Sequence, residues 1–210
     1  VHIFDYYRAT PELSFTVRYL KLVGGIVLTA SHNPPEFNGY KVYDEHGVQV
    51  LPAAGLQIEE EFKTVKEIKK LSFDEAVAKG LVTYIGKEVD AAFAESAKQV
   101  STYPGRDVKI VFSPLHGVGS QSVLPVLKAL GFVDIAVVEE QMELNGDFPN
   151  VEGHFPNPEF AVVYERPIAL ARKIGADIVI VSDPDADRLG IAVPDRDGNW
   201  INLNGNQGAV

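Results

Sequence analysis

Apolar residues along this chain fall into short runs and helix-spaced stripes. Ile26, Val27 and Leu28 follow Gly24-Gly25, and 26–30 reads as a buried strand. Residues 39–43 read as another strand, followed by a turn at Glu45-His46-Gly47. Residues 13–20 mix apolar and polar positions as a helix does. Thr10 suits the cap of that helix, and Pro11 suits its first position. Leu56, Ile58, Phe62, Val65 and Ile68 form a rough apolar stripe that predicts a helix over 54–70, and another is expected over 87–100.

Tyr103-Pro104-Gly105 breaks the pattern, and beyond it strands and helices alternate. Strands are expected at 108–112, 135–138 and 177–181, with helices at 119–130 and 167–174. Gly131 occupies the C-terminal capping position of the first of these helices. Pro125 inside it predicts a kink or a late start, whereas Pro167 is tolerable in the first turn of the second. Residues 145–158, rich in Gly, Asn and Pro, read as a long loop, and 191–193 with 199–203 as a hairpin. Such alternation favours a parallel sheet covered by helices, with functional loops at the carboxyl ends of strands. The expected fold is α/β: two three-layer domains, 1–104 and 105–201, with mixed, mainly parallel sheets and a cleft between them.

Composition narrows the function. A chain of 210 residues, 46% hydrophobic, suffices for a core in one large domain or two smaller ones. The net charge of −10 argues against a general nucleic-acid or anionic-membrane binder, though a local cationic site or a metal can still hold a phosphate. Without cysteine, disulfides, thiolate catalysis and zinc–cysteine sites are absent. No apolar run approaches a membrane span and no signal peptide is visible, so a cytoplasmic location is expected. The chain opens on Val1 in mid-stream, as a fragment of a longer protein would.

Two segments carry chemistry, each after a short apolar run. In Asp183-Pro184-Asp185-Ala186-Asp187-Arg188, three carboxylates alternate, and their repulsion calls for compensation. A divalent cation supplies it, and oxygen-only ligands suit Mg²⁺ or Ca²⁺. An EF-hand also begins with alternating acids, but its glycine and glutamate positions hold Arg188 and Pro194 here. In Thr29-Ala30-Ser31-His32-Asn33-Pro34-Pro35, a serine sits in a rigid loop, with Asn38-Gly39 and Lys41 shortly after. A phosphorylated Ser31 would carry a dianion with three acceptor oxygens, one of which the cation could bind. Either His32 or Lys41 is a plausible proton-transfer group. Gly117-Val118-Gly119-Ser120-Gln121-Ser122 partly matches a dinucleotide fingerprint, but its last position is serine, and a glycine turn opening a helix is the simpler reading.

The serine segment with Asn38-Gly39-Tyr40-Lys41 resembles the phosphoserine loop of the α-D-phosphohexomutases, and Asp183 to Arg188 resembles their metal loop. Both occur in the family order, and further similarity runs through Thr10-Pro11-Glu12-Leu13-Ser14-Phe15 and Pro156-Asn157-Pro158-Glu159. The spelling is most similar to the phosphoglucomutase and phosphopentomutase branch. The resemblance implies a Mg²⁺-dependent transfer between the 1- and 6-positions of a hexose phosphate, through a phosphoserine and a sugar bisphosphate. Ser31 would carry the phosphoryl group and bind Mg²⁺ together with Asp183, Asp185 and Asp187. Arg188 would help hold the phosphoryl group, while His32 and Lys41 would take part in proton transfer or orientation. Family members have four domains, so 202–210 would open the third, and the partners would include the remaining C-terminal domains of the same chain. The fragment alone is expected to show little or no turnover. A sugar-bisphosphate synthase on the same scaffold shares every motif, and a non-catalytic Mg²⁺- or nucleotide-binding module would use Gly117 to Ser122 without phosphate on Ser31.

Overall fold

The structure is a computed structural model and describes residues 1–208. The first half runs β1 (His2–Phe4), α1 (Thr10–Tyr19), β2 (Gly24–Leu28), β3 (Tyr40–Asp44), α2 (Pro52–Thr64), α3 (Phe73–Ala78), β4 (Thr83–Ile85) and α4 (Lys87–Lys98). β1 and β4 pair in parallel, and β2 and β3 pair antiparallel, with Gly24 opposite Asp44 and Leu28 opposite Tyr40. α1 packs on β2 and on α4, burying Val17 and Val89.

Several expectations change here. The strand expected at 26–30 begins at Gly24 and ends at Leu28, and it is not buried: Ile26 is 52% exposed and Leu28 67%. α2 stops at Thr64, because Val65 turns to an extended conformation. The apolar stripe is present, but no layer covers it, and α2 has no buried residue. β1, α3 and β4 were not anticipated; each is too short to show a period, although Ser72 caps α3 by accepting from Glu75 N.

The second half runs β5 (Ile110–Ser113), α5 (Gly119–Ala129), β6 (Ile135–Val137), α6 (Glu165–Ile174), β7 (Ile178–Ser182), β8 (Leu189–Pro194) and β9 (Trp200–Leu203). These strands form one sheet in the order β6-β5-β7-β8-β9. The pairs of β5 with β6 and β7 are parallel, and the β7–β8 and β8–β9 pairs are antiparallel. The strand period of two sends Val111, Val179 and Val181 to one face, with Ala171 of α6 and Tyr164. Ile110, Phe112, Ile178 and Ile180 go to the other, with Leu124 of α5. This half is therefore a helix–sheet–helix sandwich, and its core is the largest in the molecule.

α5 starts at Gly119 despite Pro125, so the late start does not occur, and Gly131 follows it with φ +92°. β9 runs across the expected 201/202 division, since Asn202 and Leu203 pair with Ala192 and Ile191. Over the described residues the sheets are mixed, with three parallel and three antiparallel strand pairs. Among those residues no helix is long and apolar enough to cross a membrane.

Candidate active site

The acidic loop starts where β7 stops. Asp183 follows Ser182 directly, and Ala186 N donates to the Asp183 carbonyl at 3.0 Å, with Ala186 at φ +53°. The loop is held from behind by the glycine turn. Val118 N donates to the Pro184 carbonyl at 2.8 Å, and a Cβ on Gly117 would lie 2.2 Å from Pro184 Cα. Gly117-Val118-Gly119 is thus filled by the loop it supports, which is why glycine is needed there.

The serine loop joins β2 to β3. Thr29 N donates to the Gly39 carbonyl at 3.1 Å, closing its base. Ser31 takes φ +54°, with its own N–H held by Thr29 Oγ1 at 2.8 Å. Its hydroxyl then donates to Asp183 Oδ2 at 2.8 Å and lies 3.2 Å from His32 Nδ1. Lys41 on β3 reaches the same place, placing Nζ 3.0 Å from Asp185 Oδ2 and 3.1 Å from Asp187 Oδ2. Five residues singled out from two distant segments therefore meet at one point: Ser31, Lys41, Asp183, Asp185 and Asp187. His32 is beside Ser31, its ring edge-on to Phe155. Arg188 is present through its backbone: its N–H donates to Asp183 Oδ1 at 3.0 Å, while its half-exposed guanidinium points to Glu159 at 3.9 Å.

Electrostatics sort these groups. Burial, with Asp185 alongside, pushes the Asp183 carboxyl up to about 8. Burial pushes Asp185 up too, but Asp183 and the Lys41 ammonium outweigh it, and Asp185 lies below the usual carboxylate range. Burial lowers Lys41, but its bonds to Asp185 and Asp187 prevail and raise it. Burial and then Arg188 lower His32, leaving it neutral at neutral pH. One oxygen from each of the three aspartates lies within 4.8 Å of the others, and Asp185 Oδ1 is buried without a hydrogen-bond partner. That oxygen-only set, with an orphaned carboxylate oxygen, fits a hard divalent cation.

Thr10 is the site residue that sequence reasoning missed. Expected to cap its helix, it makes no capping bond, and Ala9 is the cap residue. Its hydroxyl instead donates to Asp185 Oδ2. The Thr10-Pro11 pair was visible, but its partner lies 175 residues away. On the other side of Ser31 a cavity of about 320 Å³ opens between the serine loop and the 144–148 segment, lined also by Tyr7, Asn33 and His116. His116 is buried, with Nδ1 2.8 Å from the Glu143 carbonyl and Nε2 facing Asn150 N, so it braces that segment.

Residues 1–69 match the family model described as phosphoglucomutase/phosphomannomutase, alpha/beta/alpha domain I, and residues 89–198 match domain II of the same family. The chain is 37% identical over 209 residues to a phosphoglucomutase of Staphylococcus saprophyticus, which covers 98% of this chain and 38% of the relative. It is 38% identical over 210 residues to a phosphoglucomutase of Staphylococcus epidermidis, covering 99% and 38%. The chain thus spans well under half the length of these relatives. A crystal structure from Thermus thermophilus, provisionally named a phosphomannomutase, superposes with a TM-score of 0.74 at 26% identity, over 92% of this chain and 42% of that one.

Proposed function

The chain belongs to the phosphoglucomutase/phosphomannomutase family, and from that premise we propose that it supplies the phosphoryl-carrying serine and the cation site of a sugar-phosphate mutase. The observation that carries the reading is the 2.8 Å bond from Ser31 Oγ to Asp183 Oδ2, which joins the two motifs across 152 residues. In this reading the substrate is a hexose 1-phosphate, in keeping with the phosphoglucomutase relatives' name, and the intermediate is a sugar bisphosphate, as the resemblance of the two loops implies. The remaining domains of the same chain act as partners in binding the sugar. A cytoplasmic location fits this reading.

In the first transfer a sugar hydroxyl oxygen bonds to the Ser31 phosphorus while the Ser31 O–P bond breaks, and the proton lost by the sugar oxygen ends on Ser31 Oγ. After the bisphosphate turns over, Ser31 Oγ bonds to the other phosphorus and the sugar oxygen leaves. His32 Nδ1 stands 3.2 Å from Oγ and burial lowers its pKa, so it relays that proton, giving it to Oγ as serine departs and taking it from Oγ when serine attacks. Lys41, whose pKa Asp185 and Asp187 raise, provides fixed positive charge that orients the transferring group. Arg188, its half-exposed guanidinium 3.9 Å from Glu159, would exchange that contact for a forked grip on phosphoryl oxygens. Asp183, Asp185, Asp187 and the Ser31 phosphate would hold Mg²⁺, which supplies positive charge where the transferring oxygens need it.

The test uses the full-length protein that carries this sequence, with Mg²⁺, a bisphosphate primer and the 1-phosphates of glucose, mannose, ribose and N-acetylglucosamine. Isomerisation of one sugar that is lost in Ser31→Ala is the expected result. Accumulation of a bisphosphate without isomerised monophosphate would point to the synthase chemistry instead. No turnover of any sugar would overturn both.

A further inference from the structure

Thr10 is 3% exposed and Asp185 5%. Two bonds join them: the Thr10 hydroxyl donates to Asp185 Oδ2 at 2.9 Å, and Thr10 N donates to the Asp185 carbonyl at 3.0 Å. The first turn of α1 therefore holds Asp185 by side chain and main chain together. Nothing in the helix requires this hydroxyl, because it makes no bond within α1.

The consequence lies in the two oxygens of Asp185. Oδ2 takes both Thr10 and Lys41 Nζ, the latter at 3.0 Å. Oδ1 is buried and has no partner. A carboxylate oxygen removed from water without a donor is costly, and a cation beside it would relieve that cost. Lys41 alone does not orient the carboxylate, since its ammonium is shared with Asp187 on a flexible stem. Thr10 is short, buried and anchored by its own backbone bond to the same residue.

We propose that Thr10 is a positioning residue of the cation site, fixing Asp185 so that Oδ2 is occupied and Oδ1 is presented to the cation. It acts through Asp185 and touches neither substrate nor cation. The inference rests on the reading of residues 183–187 as a cation site. It adds a contact from the first half of the chain that binds no phosphate yet sets the acidic loop beside Ser31.

The test titrates the chain with Mn²⁺ as a spectroscopic substitute for Mg²⁺, following free Mn²⁺ by its paramagnetic resonance signal. Thr10→Val, which keeps the shape and removes the hydroxyl, is expected to weaken Mn²⁺ binding about 10-fold or more, as loss of outer-shell partners does. Thr10→Ser, which keeps the hydroxyl, is expected to bind as the wild type does, and Asp183→Asn to lose binding. Melting in EDTA separates the roles: Thr10→Val that melts lower but binds Mn²⁺ with wild-type affinity would overturn the proposal and leave the cation site standing. A wild-type chain that binds no Mn²⁺, or binding that survives Asp183→Asn, would overturn the site reading and the proposal with it. Should Thr10→Val fail to fold, Thr10→Ser against Thr10→Ala carries the same contrast.

Discussion

Ser31 stands in the serine loop and Ala186 in the acidic loop, and each has a left-handed backbone, at φ +54° and +53°. Such conformations are strained for side-chain-bearing residues, by about 1–2 kcal/mol each. The surroundings hold them: Ser31 by Thr29 Oγ1, and Ala186 by the Asp183 carbonyl. The strain aims the Ser31 hydroxyl at Asp183 and curls the acidic loop around it. Lys41 completes the charge balance, since its ammonium bonds both Asp185 and Asp187. Lys41→Met leaves those carboxylates without their cationic partner. It is expected to lower the melting midpoint in EDTA by the equivalent of about 1–3 kcal/mol, and to slow phosphoryl transfer about 100-fold or more. A variant with unchanged turnover would remove Lys41 from the chemistry. At this scale the serine and the three aspartates were legible, because each motif is a run of consecutive residues. Thr10 was not, because a threonine before a proline at a helix start has a sufficient local explanation.

Among the elements, α1 joins the site to the rest of the first half. Its N-terminus carries Thr10, and two residues on, Glu12 is buried against α4, with Oε1 lacking a hydrogen-bond partner among the described residues. Arg8 forks onto Asp90 of α4 at 2.7 and 3.0 Å but stands 3.9 Å from Glu12. Burial, and then Asp90, push Glu12 up to about 8 from 4.5, against the pull of Arg8. A carboxyl raised in the folded state stabilises while protonated. Its contribution is full below about pH 4.5 and is lost as pH rises through about 8. Glu12→Gln keeps a neutral group of the same shape. It is expected to flatten the fall in stability across that window, and above it to gain on the order of 2 kcal/mol, or about 4–8 °C in melting midpoint. Superimposable pH profiles for the two proteins would rule out this account of Glu12. The second half was readable element by element because its central strands β5 and β7 are packed on both faces and its helices end at glycines such as Gly131 and Gly175. The first half was harder. β1 and β4 have three residues each, and the stripe on α2 carries a helical period with nothing packed on it.

For the whole molecule, function depends on how the two halves meet. Thr10, Ser31 and Lys41 reach across to Asp183, Asp185 and Asp187, so the contact between the halves is itself the candidate site. Sequence order placed both motifs at strand ends, but only the fold shows that one carboxylate cluster receives a serine, a lysine and a threonine. The division of labour follows from the supports. The acidic loop grows from the well-packed five-stranded sheet and is wedged against Gly117, while the serine loop spans a two-stranded ribbon with exposed apolar residues. The proposed phosphoryl transfer depends on positioning and charge stabilisation, which a cation held by the acidic loop beside Ser31 would supply.

The most direct test of that claim is to incubate the chain with glucose 1,6-bisphosphate and Mg²⁺ and to map phosphorylation by peptide mass spectrometry. One phosphoryl group on Ser31, absent without Mg²⁺ and absent in Asp183→Asn, is the expected result. Phosphate at another residue, or none on Ser31 in the full-length protein under the same conditions, would contradict the assignment of Ser31 as the phosphoryl carrier.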